Sequence, residues 1–433
     1  MSSAVRRAFR RIELPRETDV STTAYMNHDT RPLPPSRRTY GPWQFVGLWV
    51  VTGSFNIGGW TTGSALIALG LNVWQAMLTV IIGHCLVGLI CVLTGAPGAK
   101  WHIGFCILQK SSWGMWGAFI PMVQRIMLSF IWYSTQVYWG GQCVRTFISS
   151  IWPSFNRLDK PLADGTMTVA DFTGFIIFSL LCLPLIYIRP ERYHIPFAIA
   201  ALTVIPTVVT IFIYCLATFG IAVAQNALSN GIDLSALAPR LFNLRRGGYL
   251  TAACAFILQP WRLMNGASKF LTVMGGYGVF LGSMTGVMFA DYYFVRGRRL
   301  RLTHLYELSP QSSYWYWRGV NFRAVVAWVL ATWPLMPGFV WRVEDPTREE
   351  TGWSHLYYMA WPAGLCLAMA FYWSMCRIWP VEGAGLVDDE DYFGTFGEGH
   401  KTVFLGKSAP TETSYEVEKG VTNRQDGAVQ QAL

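Results

Sequence analysis

"GPWQFVGLWVVTGSFNIGGWTTGSALIALGLNVWQAMLTVIIGHCLVGLICVLTGAPGAK", residues 41 to 100, decides the fold class. From Trp43 to Ala99 it contains no Lys, Arg, Asp or Glu. One helical crossing of a bilayer needs about 20 apolar residues, so this run holds two spans with a turn near "LGLNVW". The rest of the 433-residue chain agrees: it is 52% hydrophobic and only 14% charged, with 20 Trp and a mean hydropathy of +0.31, against about 25% charged residues in an ordinary soluble domain. Further spans read at 117–142, 171–188, 249–264, 270–295, 320–340 and 354–376. The expected architecture is an all-α polytopic membrane protein.

Charge sets the expected topology, because Lys and Arg collect in short cytoplasmic loops. Basic clusters occur in the N-terminal arm (Arg31, Arg37, Arg38), in "RPERYH" (189–194), in "RLFNLRRGG" (240–248) and in "VRGRRLRL" (295–302). The loop "RVEDPTREETG" (342–352) is acidic and "RLDKPLADG" (157–165) is mixed, which suits the opposite side. The formal charge of +9 therefore reads as an orientation signal and an attraction to anionic lipid, not as a nucleic-acid footprint. The N-terminus has Arg pairs but no apolar core of a signal peptide, and Glu13, Glu17 and Asp19 argue against a mitochondrial address. Nine cysteines form no C-x-x-C pair, so neither a disulfide framework nor a zinc site is indicated. Residues 1–40 read as a cytoplasmic arm, 41–379 as a transmembrane domain of about nine or ten spans, and 380–433 as a disordered cytoplasmic tail.

One segment breaks this pattern. Between His194 and Asp233 lie 38 uncharged residues, which as a single helix would be about 57 Å long against about 30 Å of hydrocarbon. Both of its ends carry inside-type charge, so one crossing cannot serve. The segment must double back around Pro206 and Gly220 or interrupt the topology.

Three places put polar groups inside apolar runs. Trp132 and Gln136, in "FIWYSTQVYWGGQCV" (130–144), are four apart and share a helix face. They are either packing and an interhelical amide, or a ring-stacking platform with an edge-bonding amide suited to a neutral planar solute. Asn56, Gly58 and Gly59 interrupt the first span; they permit close helix packing or mark a discontinuous helix whose freed carbonyls bind an ion or solute. In "ATFGIAVAQNALSNGIDLSALAP" (217–239), Asn226 is an interfacial cap or a cavity wall complementary to Gln136. His84 is the only histidine well inside a span, and no paired carboxylates or nucleophile–base spacing occur in the hydrophobic regions, so an enzyme is disfavoured. No cofactor is expected.

Taken together, "NHDTRPLPPSRRTYGPWQF", "NIGGWTTGSALIALGLNVWQ", "GAPGAKWHIGF", "RIMLSFIWYSTQVYWGGQ", "NGIDLSALAPRLFNLRRGGY" and "GVMFADYYFVRGRRLRLTHLYE" resemble the nucleobase cation symporter family, in particular its fungal uracil, uridine and allantoin permeases, in order from residue 27 to 396. The resemblance implies an inverted-repeat transporter fold of the LeuT type, alternating access and cytoplasmic termini, as expected of a plasma-membrane permease. It implies that Trp132 stacks the substrate ring and that Gln136 and Asn226 bond its edge. It also exposes a departure: "IPTVVTIFIYC" resembles the fifth family helix and runs almost directly into "LATFGIAVAQN", which resembles the eighth. The sixth and seventh family helices would then be absent, with a deletion near 214–217. Gly220 and Ile221 stand where sodium-coupled relatives have hydroxyl side chains, so a proton is expected as coupling ion in preference to sodium; Ala201 stands where a family lysine is common. The expected function is proton-coupled import of uracil or a related planar nucleobase, nucleoside or allantoin, the alternative being a truncated, non-transporting remnant.

Overall fold

The computed structural model describes residue 13 and residues 26–49, 63–64, 66–68, 70–193, 218–264, 267–345 and 349–396. Asn56, Gly58, Gly59, Ala201, Pro206 and the 214–217 junction lie outside them. The principal helices are α1 (Pro42–Trp49), α2 (Val73–Trp101), α3 (Phe105–Trp113), α4 (Phe119–Ile151), α5 (Val169–Tyr187), α6 (Ser229–Leu237), α7 (Leu244–Ile257), α8 (Ala267–Phe289), α9 (Phe322–Thr332), α10 (Met336–Glu344), α11 (Gly352–Tyr358) and α12 (Ala360–Ile378). Two segments are wound as π-helix: Gly220–Leu228, which leads into α6, and Ala290–Val295, which ends α8. The only sheet among the described residues is a two-residue hairpin, Pro161–Leu162 with Met167–Thr168, in the loop before α5.

Local sequence explains the boundaries. The turn expected near "LGLNVW" is made by Gly70 at φ +100°, a conformation glycine adopts without strain. Asn72 then caps α2: its Oδ1 accepts from Gln75 N at 2.9 Å while Gln75 Oε1 accepts from Asn72 N at 3.0 Å. Thr168 and Asp171 form the same reciprocal box at the start of α5. α2 exposes an almost continuous apolar surface, including Trp74, Ile81, Ile82, Leu86, Val87 and Val92, which is what a lipid-facing helix presents.

Among the described residues, four helical stretches are long and apolar enough to cross a membrane: Val73–Trp101, Val169–Tyr187, Gly276–Val295 and Phe322–Glu344. The span expected at 354–376 is instead a bent pair, with α11 and α12 meeting at 87°. The span expected at 249–264 also breaks, at Leu258 and Gln259, the latter at φ +46°. Helix α4, with 33 residues, is long enough to cross but more polar, carrying Arg125, Gln136, Gln142 and Arg145. Its polar side chains sit inside the bundle, where thirteen of its residues are buried, so protein and not lipid is their solvent.

The N-terminal arm shows that three basic loops share one face. Asn27 Nδ2 donates to Phe242 O (3.2 Å), and Asp29 Oδ2 accepts from Leu244 N (3.0 Å). Only ten residues later Arg37 pairs with Glu191 at 2.5 Å, and Tyr306 donates its hydroxyl proton to Thr30 O at 2.8 Å. The loops 189–193 and 239–244 and the segment 302–306 are therefore at one level, as the Lys/Arg bias requires. The uncharged segment accordingly leaves from and returns to this arm face. Residues 381–396, expected to begin a disordered tail, pack here too. Asp388 bonds the Thr303 backbone and hydroxyl, Phe396 sits edge-on to Trp101 (6.0 Å), and Thr395 O accepts from Arg38.

Candidate functional site

The sequence-predicted pair Trp132 and Gln136 lies on α4, one helical turn apart. Glycines fix how α4 meets α5. A Cβ on Gly140 would stand 2.2 Å from the Phe178 ring, and one on Gly141 would stand 2.6 Å from Phe175 Cα. The missing side chains let Phe178 enter the α4 surface, as small residues do at membrane helix crossings. Phe178 in turn stacks on Phe219, with centroids 4.1 Å apart and planes at 13°. Phe219 immediately precedes the π-helical segment that carries Asn226.

A second tie holds the other end of the same pair of elements. Arg125 of α4 reaches Asp233 of α6, Nε to Oδ2, at 3.0 Å and donates to Ser229 Oγ at 2.5 Å. The Asp233 side chain is buried at 1% exposure, and its Oδ1 accepts from the Cys106 thiol at 2.5 Å. A buried ion pair with further hydrogen bonds costs several kcal/mol when one partner is removed, so it fixes register strongly. The two ties make the elements antiparallel: Arg125 faces Asp233, and Gly140 faces Phe219 through Phe178. Seven residues separate Arg125 from Trp132, and seven separate Asp233 from Asn226, roughly 10 Å along each helix. Asn226 therefore stands level with Trp132, and Gln136 stands about one turn further from the arm face.

The polar groups at this level differ in their commitments. Ser134 Oγ and Thr135 Oγ1 both spend their protons on Ile131 O, each at 2.9 Å. Asn226 Nδ2 donates to Ile221 O at 2.9 Å, five residues back, which matches the widened repeat of a π-helix; such turns recur at functional sites. Gln136 is buried at 5% exposure, and among the described residues its amide forms no side-chain hydrogen bond, leaving two donors and an acceptor uncommitted. Gly220 and Ile221, the positions without hydroxyls, open the π segment, and Ile221 is buried. None of the described cavities is lined by Trp132, Gln136 or Asn226. Among the described residues no group of three His, Cys, Asp or Glu side chains could hold a metal ion. His84 faces outward and bonds Val80 O through Nδ1 at 2.8 Å.

Sequence reasoning passed over Arg125, Asp233, Phe178 and Phe219. The available signal was Arg125 itself, a lone charge within a run expected to span the membrane, and Asp233, the first charge after the long apolar segment.

The comparisons with known proteins follow the same residues. A family profile described as permease for cytosine/purines, uracil, thiamine, allantoin matches residues 32–210 and 202–364, two pieces that meet inside the anomalous segment. The transporter aclS of Aspergillus oryzae is 26% identical, covering 89% of this chain and 91% of that protein. The allantoin permease of Saccharomyces cerevisiae is 25% identical over 82% of this chain and 76% of its own length, and its uracil permease 24% over 85% and 78%. The alignment with aclS runs over 556 positions, against 433 residues here, so the relative carries many residues without counterpart in this chain. Among solved structures, the nucleobase-cation-symport-1 transporter Mhp1, closed and with bromovinylhydantoin bound, superposes with a TM-score of 0.60 over 83% of this chain and 98% of its own at 16% identity. The inverted-repeat transporter fold is thereby shared, and the relatives are transporters, not enzymes. The chain is a multi-pass membrane protein that belongs to the family of permeases for cytosine and purines, uracil, thiamine and allantoin.

Proposed function

We propose that the chain carries a neutral planar heterocycle, uracil or a related nucleobase, nucleoside or allantoin, inward across the plasma membrane by proton symport and alternating access, with both termini cytoplasmic. The observation that carries this reading is the buried, uncommitted amide of Gln136, one turn from Trp132 and Asn226 on two elements locked together by Arg125–Asp233 and Phe178–Phe219. An indole face offers stacking worth about 0.5 to 1.5 kcal/mol beyond burial. Two amides offer the mixed donors and acceptors that a uracil-like edge requires. Hydrocarbon at Gly220 and Ile221 favours a proton over sodium.

A second reading rests on a separate observation. The family profile matches in two pieces that meet at residues 202–210, and the longer relatives favour loss of the sixth and seventh family helices. A chain so shortened would be a non-transporting remnant that binds the heterocycle weakly or not at all and has a regulatory role or none. Radiolabelled uracil and allantoin uptake, measured beside equilibrium binding to the purified protein, separates the two. Saturable uptake that Trp132→Ala abolishes and Trp132→Phe partly keeps supports the transporter. Absence of saturable uptake, with or without residual binding, supports the remnant, and binding unaffected by Trp132→Ala would return Trp132 to simple packing.

A further inference from the structure

Lys110, in "GFCILQKSSWG" (104–114), is buried at 6% exposure near the arm face. Helix α3 has nine residues and is too short to cross a membrane. Among the described residues no carboxylate comes within ion-pair distance of the ammonium group. Its Nζ donates one hydrogen bond, to Leu305 O at 3.2 Å, and lies 5.6 Å from the centre of the Tyr306 ring. The titratable groups around it are the Cys106 thiol one turn earlier, the Tyr306 hydroxyl, and Arg240 and Glu13 across a cavity. Burial pulls its pKa down to about 8. A buried cation without a counter-charge is expensive, and nothing in the Trp132, Gln136 and Asn226 region makes use of it.

Lys110 lines a cavity of about 380 Å³ whose walls include Met115, Trp116 and Phe119, with Arg240 and Glu13 also at its edge. That volume falls within the range of about 300 to 1,000 Å³ usual for small-molecule sites. Its polar side chains are one buried cation, Lys110, an exposed cation, Arg240, and one carboxylate at the edge, Glu13, so two cations outweigh one anion over otherwise apolar walls. A neutral heterocycle would leave Lys110 unmatched, and a polyphosphate would leave the apolar walls in contact with charge.

We propose that this cavity binds a singly headed anionic amphiphile, its carboxylate or phosphate monoester on Lys110 and Arg240 and its apolar body against Met115, Trp116 and Phe119. The same head chemistry is offered by an acidic lipid of the cytoplasmic leaflet, where basic pockets recruit such headgroups, and by a soluble alkyl or aryl acid. The proposal is independent of the transported solute, so its test reads binding and not uptake.

The test uses the purified full chain in neutral detergent, with the unfolding midpoint and equilibrium binding of the amphiphile as readouts. Decanoate and dodecyl phosphate should raise the midpoint, while decanol and inorganic phosphate should not. Affinity should fall as pH rises from 7 to 9. Lys110→Met should weaken binding by about tenfold or more, the loss expected of a charge-assisted contact, and Lys110→Arg should restore most of it. Arg240→Gln leaves the buried lysine in place and should weaken binding severalfold while reducing its salt dependence. Nanodiscs separate the sources: stabilisation by phosphatidic acid over phosphatidylcholine, without an effect of decanoate, identifies a bilayer lipid, and the reverse identifies a soluble acid. Equal protection by decanol and decanoate, or binding that Lys110→Met and Arg240→Gln leave unchanged, would overturn the proposal.

Discussion

Asp291 is the best place to perturb this fold, because its removal tests whether one buried pair holds the arm-face ends of three helices. Asp291, in the π-helical end of α8, and Arg296, which caps that segment, pair at 2.7 Å with side chains 0% and 1% exposed. Around them Tyr372 of α12 donates to Asp291 Oδ1 at 2.8 Å, Ser111 of α3 donates to Oδ2 at 3.2 Å, and Arg296 donates to Ser111 O at 3.0 Å. Asn321, which caps α9, donates to Tyr372 Oη at 3.0 Å and to Ser112 O at 2.6 Å. Asp291→Asn keeps the shape and one acceptor but leaves a guanidinium in a site closed to water. Breaking one half of such a pair costs about 3 to 5 kcal/mol, a large part of the roughly 5 to 15 kcal/mol that stabilises a typical domain. Arg296→Met strands the carboxylate instead and should cost about as much. The double variant carries neither charge, so it should recover most of the loss, since well-packed neutral replacements of buried pairs are often close to neutral. The assay is a double-mutant cycle on denaturant or thermal unfolding in one detergent. Single losses below about 1 kcal/mol, or a double loss equal to the sum of the singles, would refute the view that mutual compensation is what makes this pair tolerable.

Three further outcomes follow from particular contacts. Gly140→Leu drives a side chain into the Phe178 ring, which a Cβ alone would approach to 2.2 Å; an overpacking loss of about 1 to 3 kcal/mol is expected in the unfolding free energy, together with weaker heterocycle binding, because Phe178 positions Phe219. Lys110 has a folded pKa of about 8 below its unfolded value near 10.5, so the unfolded chain binds the proton more tightly. Stability should rise by about 3 kcal/mol between pH 8 and 10.5 from this group, and a pH series on Lys110→Met should lack that rise. Glu191 is pushed up by burial, but the hydrogen bonds from Arg37 overcome this and hold it below the usual carboxylate range. Docking of the arm should accordingly persist above pH 4.5 and weaken as pH falls further, with hydrogen exchange at Thr39 and Tyr40 as the readout; a flat profile would show that Arg37 is not what holds the arm.

What could be read from the sequence and what could not divide along the range of the interactions. The span at Val73–Trp101 and the turn before it were legible because absence of charge and a Gly–x–Asn turn act within a few residues; most of the span expected ahead of that turn lies outside the described residues. Trp132 and Gln136 were legible as a pair because helical spacing is local. The 87° bend between α11 and α12 was not: "YYMAWPAG" is apolar on both sides of the break, and only packing against α8, where Gly282 lets the Trp361 backbone approach, decides the angle. The packing of 381–396 was hidden by polar composition, since Asp388 and Phe396 act through partners about 85 and 295 residues distant in the chain. The π-helical winding at 220–228 leaves no periodic mark in nine residues and is visible only through the amide of Asn226 on Ile221.

The same division bears on what an internal deletion would do to the site. Among the described residues, the contacts that set the register of α4 against the Asn226 segment are those of Arg125 with Asp233 and Ser229, Gly140 with Phe178, and Phe178 with Phe219. These contacts join the α4–α5 crossing to the 218–237 stretch directly, so the level shared by Trp132 and Asn226 has ties that a deletion near 214–217 would leave in place. Alternating access is a different demand, because it requires one set of helices to move against another around the site, and a set that has lost members has lost part of the moving surface. On the proposed reading, recognition and movement therefore make separate demands on this chain. A shortened member of the family would keep the first more readily than the second, which is why binding and uptake have to be measured side by side on the same preparation.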